Sequence, residues 1–174
     1  FKVSMTYVSI ADRLAMLKNK KLKSRNPLED IHPVVEAAEI VRLRKHIVSN
    51  VHVSDAALEY IVNLVSATHP GEDMFNSVVA KCGAAGTNYR SILVGGSPRA
   101  EQCLETGAQV RAYHRGRDHV RPEDVQFVAH SVLRHRLLLD RKAKAAKIAP
   151  DSLIDLAVQH VPFHEKLNAY ARQS

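Results

Sequence analysis

Hydrophobic positions along this chain form a series of helical stripes, preceded by one stretch that alternates. Phe1, Val3, Met5 and Tyr7 are separated by Lys2, Ser4 and Thr6, and this period of two predicts a half-buried strand. A strand needs a sheet, and no second run of similar quality follows, so its partners are expected in a preceding domain. Ser9 is placed to cap a short helix with Ile10, Leu14 and Leu17 on one side. The basic run from Lys18 to Pro27 then reads as an exposed linker ending in a breaker.

Longer helices follow. Pro33 suits a first helical position, and Val34, Ala37, Ala38, Val41 and Val48, with Ile40, Leu43 and Ile47 beside them, predict a broad buried face. Ser54-Asp55 opens a second helix with Leu58, Ile61, Val62 and Val65 at helical spacing, stopped by His69-Pro70-Gly71. Periodicity fails between Gly71 and Tyr89 apart from a turn of helix around Phe75 to Lys81, and Gly83, Gly86 and Asn88 predict a loop. Order returns at Gly95-Gly96-Ser97-Pro98-Arg99, which reads as a flexible turn, a cap and Pro at the first helical position. That helix should run to about His114 and stop at Gly116. Pro122-Glu123-Asp124 starts another, with Val125, Val128, Ala129, Val132 and Leu133 on one face, and a last amphipathic helix follows Pro150 through Leu153, Ile154, Ala157 and Val158.

Composition narrows the class. With 45% hydrophobic residues, 7 Gly, 7 Pro and no Trp, the 174-residue chain has enough aliphatic mass for a small, mainly α-helical core. Cys82 and Cys103 match no metal or redox spacing, so a reducing, cytoplasmic setting is expected. No run reaches the length of about 18 apolar residues that a membrane span needs. Phe1-Lys2-Val3-Ser4 resembles neither a signal peptide nor an initiator start, so the chain is expected to be a piece of a longer protein. The net charge of +7 is concentrated between Arg111 and Lys147, where ten Lys/Arg face four Asp/Glu. Such a stretch is either a solvated helical surface or a phosphate-binding one.

The sequence offers little catalytic chemistry. A phosphate cradle needs Gly-x-x-x-x-Gly-Lys-Ser/Thr, whereas Gly83-Ala84-Ala85-Gly86-Thr87 has glycines without the lysine. Leu137-Leu138-Leu139-Asp140 resembles a magnesium-binding strand only until Arg141 follows. No two of the ten histidines form a His-x-x-x-His pair with an adjacent Glu, and no metal is expected. Arg99 is the residue that stands out, because Ser97-Pro98 puts its guanidinium in a first helical turn where free backbone amides already favour an anion. Read without context it is an ordinary surface arginine, and the small residues Ala100, Gly107 and Ala108 suit close approach of another element.

Three blocks in order resemble the C-terminal lid of MoxR-type AAA+ ATPases: Gly95-Gly96-Ser97-Pro98-Arg99-Ala100, then Gly116 to Val125, then Val132-Leu133-Arg134-His135-Arg136. Val53-Ser54-Asp55 and the helix through Tyr60 are similar to the segment preceding them, and Phe1 to Tyr7 to the last strand of the ATPase core. The resemblance implies a mainly α, helical-bundle AAA+ lid with one N-terminal β-strand left from the core. It divides the chain into 1–27 (strand, short helix and linker), 28–141 (the lid) and 142–174 (a C-terminal helical extension). It makes Arg99 the second sensor, directed at the terminal phosphates of ATP, with Gly96, Ser97 and Pro98 supporting the sensor helix. The longer protein is then expected to hydrolyse ATP with Mg, in a ring hexamer with neighbouring subunits. A von Willebrand factor A-type partner is implied as well, and a chaperone-like role. The chain by itself is expected to lack ATPase activity and to bind no cofactor alone. Arg134-His135-Arg136 read as packing or interface residues, and the 69–91 stretch as a partner-binding insertion. The competing reading is a basic helical nucleic-acid-binding domain, which would need base-reading side chains along one helix, where here the cations are scattered among turns and helix ends. A structural adaptor is a third.

Overall fold

The computed structural model describes residues 1–3, 5, 7–19 and 31–164. Contacts divide the chain into two compact units, one comprising residues 3–45 and the other residues 1–2 together with 46–174.

In the smaller unit, α1 (Ile10–Lys18) begins where Ser9 accepts a hydrogen bond from the Asp12 amide at 3.2 Å, as its sequence predicts. Most of α2 (Ala37–Asn50) belongs here too. The broad buried face expected of α2 is not found: Ile40, Val41, Leu43 and Val48 are exposed, and only Ile47, which counts with the larger unit, is buried. Periodicity selects the helix, but burial requires a second layer against it. The helix also starts at Ala37 and not at Pro33. The expected strand over 1–7 is likewise absent among its described residues, and Val3, Met5 and Tyr7 are exposed. An alternating segment without a neighbouring ladder has nothing to pair with. Most of the basic linker lies outside the described residues.

The larger unit is a helical bundle. Its elements in order are α3 (Asp55–Ser66), α4 (Asp73–Lys81), α5 (Gly86–Tyr89), β1 (Ile92–Val94), α6 (Pro98–His114), α7 (Pro122–Leu133), β2 (Leu138–Leu139), α8 (Arg141–Ala145) and α9 (Pro150–His160). Ser54 caps α3 through the Ala57 amide at 3.2 Å, and Pro begins each of α6, α7 and α9. The centre is the antiparallel seam of α6 and α7. Ala100, Leu104, Gly107, Ala108 and Ala112 face Val125, Val128, Ala129, Val132 and Leu133, all of them buried. Small residues on one helix let the branched residues of the other approach closely, and Gly107 would place a Cβ at 3.4 Å from Val128 Cβ.

Around this seam α3 adds Ala57, Tyr60, Ile61, Leu64 and Val65, while α9 packs on α7, α4 and α5 through Leu153, Ile154 and Ala157. Leu58 and Val62, expected to share the buried face of α3, are exposed, because the core side of that helix is centred one position away, on Ala57, Ile61 and Leu64. The expected loop between 81 and 89 is instead a 3-10 turn, Gly83–Ala85, running into α5. That segment is held by Tyr89, whose hydroxyl donates to the Ala67 carbonyl at 2.9 Å and whose ring lies 5.3 Å from that of Phe75. Burial raises the Tyr89 phenol well above its ordinary range. β1 and β2 pair antiparallel, Ile92 with Leu139 and Val94 with Leu138. Among the described residues no helix is long and apolar enough to cross a membrane.

Candidate functional site: the amino end of α6

The amino end of α6 is built on a turn that only glycines permit. A Cβ on Gly95 would lie 2.3 Å from both the carbonyl oxygen and Oγ1 of Thr68, and one on Gly96 would press on Ala100, Val65 and Leu133 at 3.1 to 3.3 Å. The close approach brings two polar groups from the end of α3 against the turn. Thr68 Oγ1, in a buried side chain, accepts from the Gly96 amide at 2.9 Å while donating to the Val65 carbonyl at 2.6 Å. His69 Nε2 contacts the Gly96 carbonyl oxygen. Both backbone polar groups of Gly96 are therefore fixed from α3.

From this brace α6 departs through Ser97 and Pro98. Ser97 has extended backbone geometry, but its side chain makes no capping hydrogen bond; the Ser97 carbonyl instead accepts from the Ala100 amide at 2.6 Å. The first-turn amides are thereby left without a side-chain acceptor at Ser97. Arg99 is exposed and makes no hydrogen bond or ion pair among the described residues, while its neighbour Ala100 is fully buried. The structure thus places Gly96, Ser97, Pro98 and Arg99 contiguously, with one free guanidinium projecting from a fixed helix start. Thr68 and His69 were not singled out from the sequence, where they read only as a helix stop; their partner lies 28 and 27 positions further along.

A second polar cluster fixes the far end of α6 to the start of α7. Asp124, 1% exposed, receives two hydrogen bonds from Arg117 at 2.7 and 2.8 Å and one from the Arg121 amide at 2.9 Å, and Arg111 Nε lies 3.4 Å away. Burial by itself would raise the Asp124 carboxyl. The Arg117 and Arg121 hydrogen bonds, with the charges of Arg117 and Arg111, outweigh it and hold the group below the ordinary carboxylate range. Nearby, the His52 amide donates to the Asp118 carbonyl at 2.7 Å, the Val120 amide donates to the His52 carbonyl at 2.9 Å, and Gln109 donates to the Val51 carbonyl at 2.9 Å.

The third motif is structural in the same sense. Arg134 pairs with Asp151 of α9 at 2.9 Å, and Arg136 bonds the Val132 carbonyl and lies 3.6 Å from Cys103 Sγ. Four of the ten cations between Arg111 and Lys147 are thus engaged inside the fold. Among the described residues no group of three His, Cys, Asp or Glu could hold a metal ion.

Residues 87–156 match the AAA lid domain family. The chain is 33% identical over 140 residues to chaperone MoxR1 of Mycobacterium tuberculosis, covering 80% of this chain and 34% of that protein. It is 30% identical over 154 residues to the uncharacterized protein YeaC of Bacillus subtilis, covering 88% and 42%. The crystal structure of a candidate ATPase from Cytophaga hutchinsonii superimposes with a TM-score of 0.75 at 26% identity, covering 92% of this chain and 45% of that one. The chain spans less than half the length of these relatives. The matched region holds α6, the Arg117–Asp124 clamp and the Arg134–Asp151 pair, and the chain belongs to the AAA+ family as a lid domain of MoxR type.

Proposed function

We propose that this lid closes over ATP held by the ATPase core of a longer protein, with Arg99 as its second sensor. The observation that carries the proposal is the free, exposed guanidinium of Arg99 on a helix start that α3 fixes at Gly96. A guanidinium keeps its charge and offers forked donors, so it recognises a terminal phosphate and loses partners when that phosphate leaves. The lid would supply this cation; the phosphate cradle and magnesium carboxylates would come from the core. Closure over bound nucleotide and release after hydrolysis would turn the lid, and in a cytoplasmic ring hexamer that motion would remodel partner proteins in a chaperone-like cycle. A von Willebrand factor A-type protein is the partner class we propose. Gly96, Ser97 and Pro98 set the direction in which Arg99 leaves the helix.

The test is made in the longer protein, with Arg99→Ala and Arg99→Lys. Turnover of ATP should fall on the order of tenfold or more in the Ala variant through lost transition-state stabilisation, with partial rescue by Lys. Thermal stability should hold, since Arg99 is exposed and makes no contact that folding needs. Unchanged hydrolysis in the Ala variant would remove Arg99 from the site.

A further inference from the structure

We infer that the carboxyl-terminal half of α6 carries a docking groove for an acidic peptide segment that inserts a bulky apolar side chain. The groove has a volume of about 530 Å³, within the range of sites that enclose small ligands or large side chains. Its apolar lining is formed by Phe1, Gly107, Val110, Phe127 and Val128. Gly107 makes the hollow, since a Cβ there would reach within 2.8 Å of Phe1 Cζ. The rim is apolar and in water: Phe127 is 63% exposed and Val110 47%. An exposed aromatic beside an aliphatic hollow is costly to leave hydrated and marks an interaction surface.

One edge of the groove is cationic, formed by Arg111, His114 and Arg115, and none of its lining residues is acidic. Arg111 lies flat on Phe127, its guanidinium carbon 3.3 Å from the ring centroid. Its Nε is buried and makes no hydrogen bond, although Asp124 lies 3.4 Å away, because Arg117 already occupies that carboxylate with two bonds. One carboxylate thus serves two guanidiniums, which leaves positive charge uncompensated beside the hollow, and exposed Arg115 adds to it. Arg and aromatic side chains around an apolar centre are the composition of protein-binding hot spots, and the one-sided charge calls for carboxylates next to the anchor. A nucleic-acid strand would need a cationic track along its length, and this groove has its cations on one edge only. It lies about 16 Å along the helix from Arg99, from the helical rise, and so does not depend on the nucleotide-sensing reading.

The probe is a capped hexapeptide, Asp-Glu-Phe-Leu-Asp-Glu, titrated into the 174-residue chain by heteronuclear NMR and then into the longer polypeptide. Saturable shifts are expected at Val110, Arg111, His114 and Phe127. Affinity should fall about tenfold for the Asn/Gln analogue and for the analogue with Ala replacing Phe and Leu. It should fall similarly for Phe127→Ala and Arg115→Glu, whose exposed side chains can be changed with little effect on melting. Equal binding of the acidic and neutral peptides would overturn the inference, as would absence of shifts at millimolar peptide. Tighter binding of oligodeoxythymidine at the same residues would assign the groove to nucleic acid instead. Peptide binding by the 174-residue chain that disappears in the longer polypeptide would show the groove to be an internal seam, and would equally overturn it.

Discussion

Asp124 is the strongest single test of how the α6–α7 seam is held. Replacing it with Asn keeps the volume and one acceptor but removes the charge that two guanidiniums share. In the folded chain this carboxylate is 1% exposed and accepts a paired donation from Arg117 and one from the Arg121 amide. Breaking a buried ion pair on one side typically costs about 3–5 kcal/mol. Arg111 and Arg117 are each 21% exposed and can partly rehydrate, so the cost should fall just below that range, at about 2–3 kcal/mol. For a unit of this size that corresponds to a melting decrease on the order of 10 °C. The pH dependence follows from the depressed folded carboxyl. A group held below its unfolded value contributes stability that is complete above the unfolded pKa, near 3.8, and is lost as pH falls through the lower folded value. Thermal melts of both proteins from neutral pH down to about 3 should therefore show a gap that is widest at neutral pH and narrows in acid. A difference under about 0.5 kcal/mol, or one that does not change with pH, would refute the claim that this carboxylate is ionised and stabilising.

The brace under Arg99 should be sensitive to single atoms. Gly95→Ala sets a methyl against the Thr68 carbonyl and Oγ1 at 2.3 Å and should lower stability by more than Gly96→Ala, for which overpacking of about 1–3 kcal/mol is expected; equal melting curves would refute the close approach. Thr68→Val leaves the buried Gly96 amide without its acceptor and should cost about 1–3 kcal/mol, measured by denaturant unfolding, with loss of protection of that amide in hydrogen exchange. Arg134→Ala removes a pair whose aspartate is 44% exposed and should cost under about 1 kcal/mol, so a large loss would show that the pair carries more than surface charge.

The helix starts were legible because each is written locally: a Ser ahead of α1 and α3, a Pro at the first position of α6, α7 and α9. The apolar buried face of α7 could be read from its spacing, since Val125, Val128, Ala129, Val132 and Leu133 all turn inward, whereas the burial of Asp124 beside them could not. What could not be read depends on partners distant in sequence. β1 and β2 are three and two residues long, too short to show a period, and exist only because they meet across 44 to 47 positions. Thr68 and His69 look like the end of a helix until the chain returns to them at Gly96. The apolar stripes of α1 and α2 announce helices correctly but cannot say whether anything covers them, and the exposed Ile40, Val41 and Leu43 show the difference. Arg99 was legible as a candidate for a related reason: a helix start is local, and so is the resemblance that surrounds it.

The packing also constrains how a signal at Arg99 can travel, on the reading that it senses nucleotide. Ala100, directly beside it, is fully buried, and the next contacts inward along α6 are Leu104 and Ala108, also without exposure. A force on the guanidinium therefore acts on a helix whose inner face is buried against α3 and α7. Behind the turn, Gly96 is tied through Thr68 and His69 to α3, and α3 packs on α6, α7 and α4. At the other end Asp124, Arg117 and Arg111 lock α6 to α7. Close-packed interiors shift between discrete arrangements and do not deform continuously. Gain or loss of a phosphate contact at Arg99 should accordingly move the larger unit as one body.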